Sequence, residues 1–82
     1  MTYQEREITK DQLEKILQTL DLDEGIRIEN SSGMIFINRS AKRYCVNISA
    51  NGKEEFFYNN TVTDVLDFLK EKIEQQSRIF SY

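Results

Sequence analysis

The chain has 82 residues, a formal net charge of -3 and a charged fraction of 30%. This length allows one small domain and excludes a second, because domains usually run to about 100–150 residues. The apolar content is ordinary for a folded protein, and no apolar run approaches the ~20 residues that span a bilayer. We therefore predict one α+β domain over residues 1–82 that does not contact a membrane.

The residue types that are missing exclude several chemistries. The sequence has no histidine, which removes the commonest general acid or base and the commonest metal ligand. Cys45 is the single cysteine, so neither an internal disulfide nor a cysteine zinc site can form, and a lone thiol fits a reducing compartment. Phosphate-binding and hydrolase motifs are absent, as is the apolar core of a signal peptide. We expect a cytoplasmic, non-enzymatic protein without cofactor or metal.

The first predicted element is a helix. Its apolar residues recur at i, i+3, i+4 and i+7, which places them on one helical face: Leu13, Ile16, Leu17 and Leu20. Thr9 is suited to be the N-cap, and Gln12 follows at the spacing of a capping box. The pattern predicts that the helix ends around Leu20 to Leu22, before Gly25.

Four short strands are predicted next. They are Ile26–Glu29, Met34–Asn38, Arg43–Ser49 and Glu54–Tyr58. The third alternates cleanly, with Tyr44, Val46 and Ile48 on one face. Asn51-Gly52 between two such runs is the strongest short signal for a hairpin. Because turns this short join antiparallel neighbours, we predict a four-stranded antiparallel meander.

The last predicted element is a second helix. Its apolar face comprises Val62, Val65, Leu66, Leu69 and Ile73. Thr61 with Asp64, or Thr63 alone, is suited to cap its start. If the helix continues, Phe80 falls on the same face, seven residues after Ile73. The predicted order is α-β-β-β-β-α, with the meander packed against both helices.

The aromatic residues form the first candidate partner-binding surface. Phe56, Phe57 and Tyr58 are consecutive, so they cannot share one face of a strand. If Phe56 and Tyr58 face the helices, Phe57 lies on the opposite face and is the candidate contact. Phe80 and Tyr82 give the chain an apolar end that either packs on the core or crosses to a second copy. The alternative is that a helix, the tail or the N-terminal segment covers the second sheet face.

Acidic residues form a second candidate surface. Asp11, Glu14 and Asp21 are predicted on the face of the first helix opposite its leucines. Such a face suits docking onto a basic surface. The alternative is that these carboxylates are simply solvated, as charged runs usually are.

Basic residues support an alternative function. Arg39, Lys42 and Arg43 cluster around the second predicted hairpin turn, and Lys53 follows the third. A cationic hairpin can contact phosphates, although hairpin tips are often charged only because they face solvent. Aromatic residues on a sheet can stack bases, but no basic residues are interleaved with them in the sequence.

From these observations we expect a small acidic module that binds a partner protein. Its size and its lack of catalytic motifs suit a regulator or inhibitor, for example one encoded by a phage or mobile element. The apolar surplus predicts self-association, with a homodimer as the first partner. The alternative is nucleic-acid or nucleotide binding through the basic hairpin.

Overall fold

The structure is a computed structural model that describes residues 5–82. It contains six strands and two helices. In chain order these are β1 (Arg6–Ile8), α1 (Lys10–Gln18), β2 (Gly25–Asn30), β3 (Gly33–Arg39), β4 (Tyr44–Ala50), β5 (Lys53–Asn59), α2 (Val62–Leu69) and β6 (Arg78–Ser81). Neither helix in this part of the chain is long and apolar enough to cross a membrane.

All strands form one antiparallel sheet in the order β1-β6-β2-β3-β4-β5. The predicted α+β class, the antiparallel pairing and the central β2–β5 meander are confirmed. The predicted count of four strands and the order α-β-β-β-β-α are wrong, because β1 precedes the first helix and β6 follows the second. Both added strands are short and pair with residues far away in sequence: Ile79 on β6 lies opposite Ile8 on one side and Ile28 on the other.

Helix α1 begins as predicted and ends earlier. Thr9 is its N-cap, and the Thr9 backbone N–H donates to Gln12 Oε1 at 3.0 Å. The helix ends at Gln18, and sheet side chains bind the carbonyl groups near its end. The Tyr44 hydroxyl donates to the Leu17 carbonyl at 2.9 Å, and an Arg39 guanidinium nitrogen donates to the Leu20 carbonyl at 2.8 Å.

Helix α2 also begins as predicted, with the Thr61 hydroxyl accepting a hydrogen bond from the Asp64 N–H at 3.1 Å. The helix ends at Leu69, so the predicted place of Ile73 on it is wrong and the helix does not continue to Phe80. Contacts with the β2–β3 turn hold the chain after the helix: Asn30 Nδ2 donates to the Lys72 carbonyl at 2.9 Å, and the Glu74 carboxylate accepts from Ser31. The chain then turns back and enters the sheet as β6.

Both helices pack on one face of the sheet. The buried core consists of Ile8, Leu13, Leu17, Leu20, Ile26, Ile28, Ile35, Ile37, Tyr44, Val46, Val65, Leu69 and Ile79. Five isoleucines lie side by side on this face across five strands, namely Ile8, Ile79, Ile28, Ile35 and Ile48. Since side chains alternate along a strand, the intervening residues point to the face that carries neither helix, called here the helix-free face.

Candidate binding surface

The middle row of the helix-free face crosses all six strands. In spatial order it consists of Glu7, Phe80, Arg27, Phe36, Asn47 and Phe56. Because neighbouring strands lie ~4.8 Å apart, the three phenylalanines recur about every 10 Å. Polar side chains alternate with them, so the row presents aromatic rings at regular intervals rather than one continuous apolar stripe.

The half of this face on β3, β4 and β5 is mostly uncharged. Its apolar residues, called here the aromatic patch, are Met34, Phe36, Cys45, Phe56 and Tyr58. Phe56 is 57% exposed and Tyr58 is 55% exposed. The remaining three residues are half-buried by their neighbours in the sheet. The patch therefore has two exposed rings, Phe56 and Tyr58, next to three half-buried apolar side chains.

The half of the face on β1, β6 and β2 is filled by ion pairs. The Arg27 guanidinium donates to the Glu5 carboxylate at 2.7 and 2.8 Å and to Glu29 at 2.5 Å. Arg78 donates to both carboxylate oxygens of Glu7 at 3.1 Å. The bond from Arg78 lowers the pKa of Glu7, and the bond to Glu5 raises the pKa of Arg27. These arginines are already engaged within the chain.

Phe80 lies within this charged half. The guanidinium carbons of Arg27 and Arg78 lie 4.5 and 5.1 Å from the centre of its ring. Its predicted position in a helix is wrong, but it does lie on the helix-free face, where two cations cover it. Tyr82 lies on the same face: its ring atoms are next to Gly25, and its hydroxyl donates to Asn38 Oδ1 at 3.3 Å. Both residues hold the end of the chain against the sheet.

Phe57 lies on the opposite side from the one expected. It pairs with the buried Val46, and its ring lies 4.7 Å from that of Phe68 on α2. Phe56 and Tyr58 therefore occupy the helix-free face, and Phe57 contributes to packing between sheet and helix. Sequence reasoning missed Phe56 and Tyr58 as site residues. The signal was present, because a two-residue turn at Asn51-Gly52 fixes Val46 opposite Phe57.

The acidic candidates lie away from the aromatic patch. Asp11 and Glu14 are exposed on the outer side of α1, as expected. Asp21 is also exposed, but its predicted position on the helix is wrong, because α1 ends at Gln18 and Asp21 lies in the turn that follows, where its N–H donates to Glu24 Oε1 at 2.9 Å. Glu14 accepts a hydrogen bond from Gln18 at 3.4 Å, and Asp11 lies in the first turn, where its charge suits the helix dipole. Because α1 packs its leucines on the other face of the sheet, one flat partner cannot touch the acidic face and the aromatic patch together.

The basic candidates do not form one site. The guanidinium of Arg39 is bound to the Leu20 carbonyl and lies 5.8 Å from the Tyr44 ring centre. Lys42 and Arg43 share a shallow cleft at the β3–β4 turn. Lys53 is at the opposite end of β4 and β5, about 20 Å away along a seven-residue strand. Arg43 instead joins the aromatic patch, with its guanidinium carbon 4.2 Å from the Tyr58 ring centre.

Comparison of the chain with protein-family models, with curated proteins and with solved structures finds no match.

Proposed function

We propose that this chain is a non-enzymatic module that binds a partner protein through the aromatic patch. The observation that carries the proposal is the exposure of Phe56 and Tyr58 on a sheet face that neither helix covers. Contiguous exposed apolar surface on a small soluble protein is typical of interaction sites. Aromatic residues, methionine and arginine are also the residue types that interfaces concentrate.

The composition of the patch defines the kind of partner that fits. Its centre is neutral and apolar. Phe36 lies at this centre, with Met34 two residues before it on β3 and Cys45 on the neighbouring strand β4. Its border carries charge of both signs, from Arg43 beside Tyr58 and from Glu54 at the other end of β5. We expect a partner surface with an apolar centre and a polar rim, the usual anatomy of a protein interface. A purely cationic or anionic surface does not match this arrangement.

A binding module acts by occupying a surface of its partner. The sequence-based expectation of a regulator or inhibitor is therefore retained within this proposal, as is a cytoplasmic location. A phage or mobile-element origin is not required by it.

Site-specific photo-cross-linking tests the proposal in the cells that make the protein. A photoreactive phenylalanine analogue replaces Phe36, at the centre of the patch, and in a separate chain it replaces Glu14, on the acidic face of α1. We expect a heterologous protein to be captured at position 36 and not at position 14, since the two positions lie on different sides of the molecule. Capture at position 14 alone, or no heterologous capture at position 36, would contradict the proposal.

Nucleic-acid binding is a second candidate, favoured by one specific observation. Arginines are interleaved with the rings of the helix-free face: Arg27 lies between Phe80 and Phe36 in the middle row, and Arg43 stacks on Tyr58. Such a combination can bind single strands by stacking and charge. The ion pairs of Arg27 and the net charge of -3 oppose it.

Fluorescence anisotropy with a labelled single-stranded oligonucleotide at low salt separates the two functions. The protein-binding proposal predicts no titratable binding. Binding that weakens steeply with added salt and is lost in Arg43→Glu would favour the nucleic-acid function instead.

A further inference from the structure

The outer edge of β5 has the length and regularity needed to pair with another strand. β5 is the last strand of the sheet, and no strand within residues 5–82 pairs with its outer edge. It is seven residues long and follows β4 in continuous register, without a bulge. Edge strands usually carry a proline, a bulge, a cover or charged residues that prevent such pairing. Of these devices, β5 has the charged residues Lys53, Glu54 and Glu55 in its first half.

The turn before β5 determines which backbone groups the edge presents. Asn51 and Gly52 have φ values of 56° and 76°, as a two-residue hairpin turn of this hand requires. In such a hairpin the flanking residues, Ala50 and Lys53, exchange both backbone hydrogen bonds. Hydrogen-bonded pairs alternate along the ladder, so every second residue of β5 directs its N–H and C=O away from β4. These residues are Glu54, Phe56 and Tyr58.

We propose that β5 pairs antiparallel with β5 of a second copy of this chain, with the two Phe56 residues opposite each other on a two-fold axis. In this register Glu54 of each copy lies opposite Tyr58 of the other. All three outward-directed residues then form hydrogen-bonded pairs, with about six backbone hydrogen bonds across the axis. The two sheets become one continuous sheet.

The charges next to β5 favour this register over those centred nearer the start of the strand. Because Arg43 stacks on Tyr58 at 4.2 Å, Glu54 of one copy approaches Arg43 of the other at both ends of the interface. Centring the pairing on Glu54 or Glu55 would instead place two carboxylates directly opposite, which is destabilising. The charged first half of β5 therefore disfavours pairings centred on Glu54 or Glu55 and complements the pairing centred on Phe56.

The pairing brings the two aromatic patches together. A two-fold axis perpendicular to the sheet keeps equivalent faces on the same side, so Phe56 and Tyr58 of both copies form one larger surface. The proposed pairing follows from the geometry and charges of the β5 edge and does not depend on the proposed function. Only the role of the joined patches as one contact surface rests on the proposed function.

Sedimentation velocity over a concentration series tests the pairing with the full chain. We expect a monomer–dimer equilibrium for the wild type. Glu54→Pro removes an outward N–H that β4 does not use, so the variant keeps its own sheet and weakens the dimer at least tenfold. The matched control Glu54→Ala keeps that N–H and weakens the dimer less. A wild type that is monomeric at several hundred micromolar would overturn the proposal.

Disulfide trapping tests the register and does not depend on the proline variant. In a Cys45→Ser background, Phe56→Cys places two thiols on residues whose Cα atoms lie ~5.5 Å apart, within disulfide reach. Glu54→Cys places them about 13 Å apart along the strands. We expect mild oxidation to link the first variant and not the second. Linkage of Glu54→Cys equal to or above that of Phe56→Cys would overturn the register.

Charge exchange tests the contact between copies. Glu54→Arg or Arg43→Glu alone places like charges opposite each other at both ends and should weaken the dimer by roughly tenfold. The double variant restores opposite charges and should recover the wild-type dissociation constant at low salt. Within one copy the two positions lie at opposite ends of β5, so rescue reports on the contact between copies. An absence of rescue would contradict the charge argument.

These readouts separate the two proposals. A monomeric wild type that still captures a heterologous protein at position 36 overturns the pairing alone. A dimer with no such capture overturns the proposed function alone.

Discussion

Phe80 lies directly opposite Arg27 in the β6–β2 ladder, and the Arg27 guanidinium carbon lies 4.5 Å from the centre of the Phe80 ring. The same guanidinium binds Glu5 and Glu29. One arginine thus connects the last strand of the chain to the segment before β1 and to β2. This contact fastens the end of the chain to the sheet and leaves Phe80 half-buried under two guanidinium groups.

We predict that the side chains of Arg27 and Phe80 are energetically coupled. In a double-mutant cycle with Arg27→Ala and Phe80→Ala, the coupling free energy should be ~0.5–1 kcal/mol, the usual size for a cation over an aromatic ring near the surface. Urea denaturation of the four chains measures it. Strictly additive effects would show that the two side chains stabilise the sheet independently.

The two central leucines of the helices should dominate the stability of the core. Leu17 is 0% exposed and Leu69 is 1% exposed, which confirms the predicted helix faces. Leu17→Ala or Leu69→Ala should cost about 2–5 kcal/mol because each leaves a cavity. Leu22→Ala is the matched control, since Leu22 is 64% exposed and its loss should change the free energy of unfolding by less than ~0.5 kcal/mol. Thermal or urea unfolding compares the three variants.

Gly33 permits the close approach of β3 to β4. A Cβ atom at this position would lie 2.2 Å from the Ser49 carbonyl oxygen, a backbone atom that cannot move without disturbing the ladder. Gly33→Ala should therefore destabilise the fold by about 1–3 kcal/mol. An unchanged unfolding midpoint in urea would show that the strands separate at this end without cost.

The pairing of Glu7 with Arg78 should make stability depend on pH. The hydrogen bond from Arg78 lowers the pKa of Glu7 below its ordinary value in the folded state. The pair therefore stabilises the fold above the unfolded-state pKa of glutamate, and this contribution is lost as the pH falls through the lower folded-state pKa. NMR titration of the Glu7 carboxyl group should show the lowered pKa, and Arg78→Met should return it to the ordinary value. An ordinary pKa in the wild type would contradict the pairing.

Local signals made the central meander predictable. The Asn51-Gly52 turn and the alternation of Tyr44, Val46 and Ile48 are properties of neighbouring residues, and the structure confirms both. The N-caps Thr9 and Thr61 are local in the same sense. Such signals depend on backbone geometry within a few residues, so neighbouring residue types are sufficient to predict them.

The outer strands β1 and β6 were not predictable in the same way. β1 has three residues and β6 has four, and Phe80 within β6 falls at the helical spacing of the apolar residues before it. Both depend on distant partners, since Ile79 joins Ile8 to Ile28 across sequence separations that no local pattern records. The chain between α2 and β6 turns back through contacts of Asn30 and Glu74, which are equally non-local.

The candidate site was predictable in kind but not in residue. The sequence predicted apolar side chains on both faces of the sheet, and the structure places Phe56 and Tyr58 on the helix-free face. The conditional placement of Phe57 on the helix-free face is wrong, because the Asn51-Gly52 turn sets Phe57 opposite the buried Val46. The interleaving of Arg27 with Phe80 and Phe36 could not be foreseen, since it depends on β6 entering the sheet beside β2.

Calorimetric titration of the protein captured at position 36 tests most directly whether the helix-free face is the binding surface. Three chains are compared: the wild type, Phe36→Ala on the aromatic patch, and Asp11→Asn with Glu14→Gln on the acidic face of α1. We expect Phe36→Ala to weaken binding by about tenfold or more, as loss of a central aromatic contact does, and the acidic-face variant to bind within twofold of the wild type. Unchanged affinity in a folded Phe36→Ala chain, with binding lost in the acidic-face variant, would contradict the proposal and assign the contact to α1.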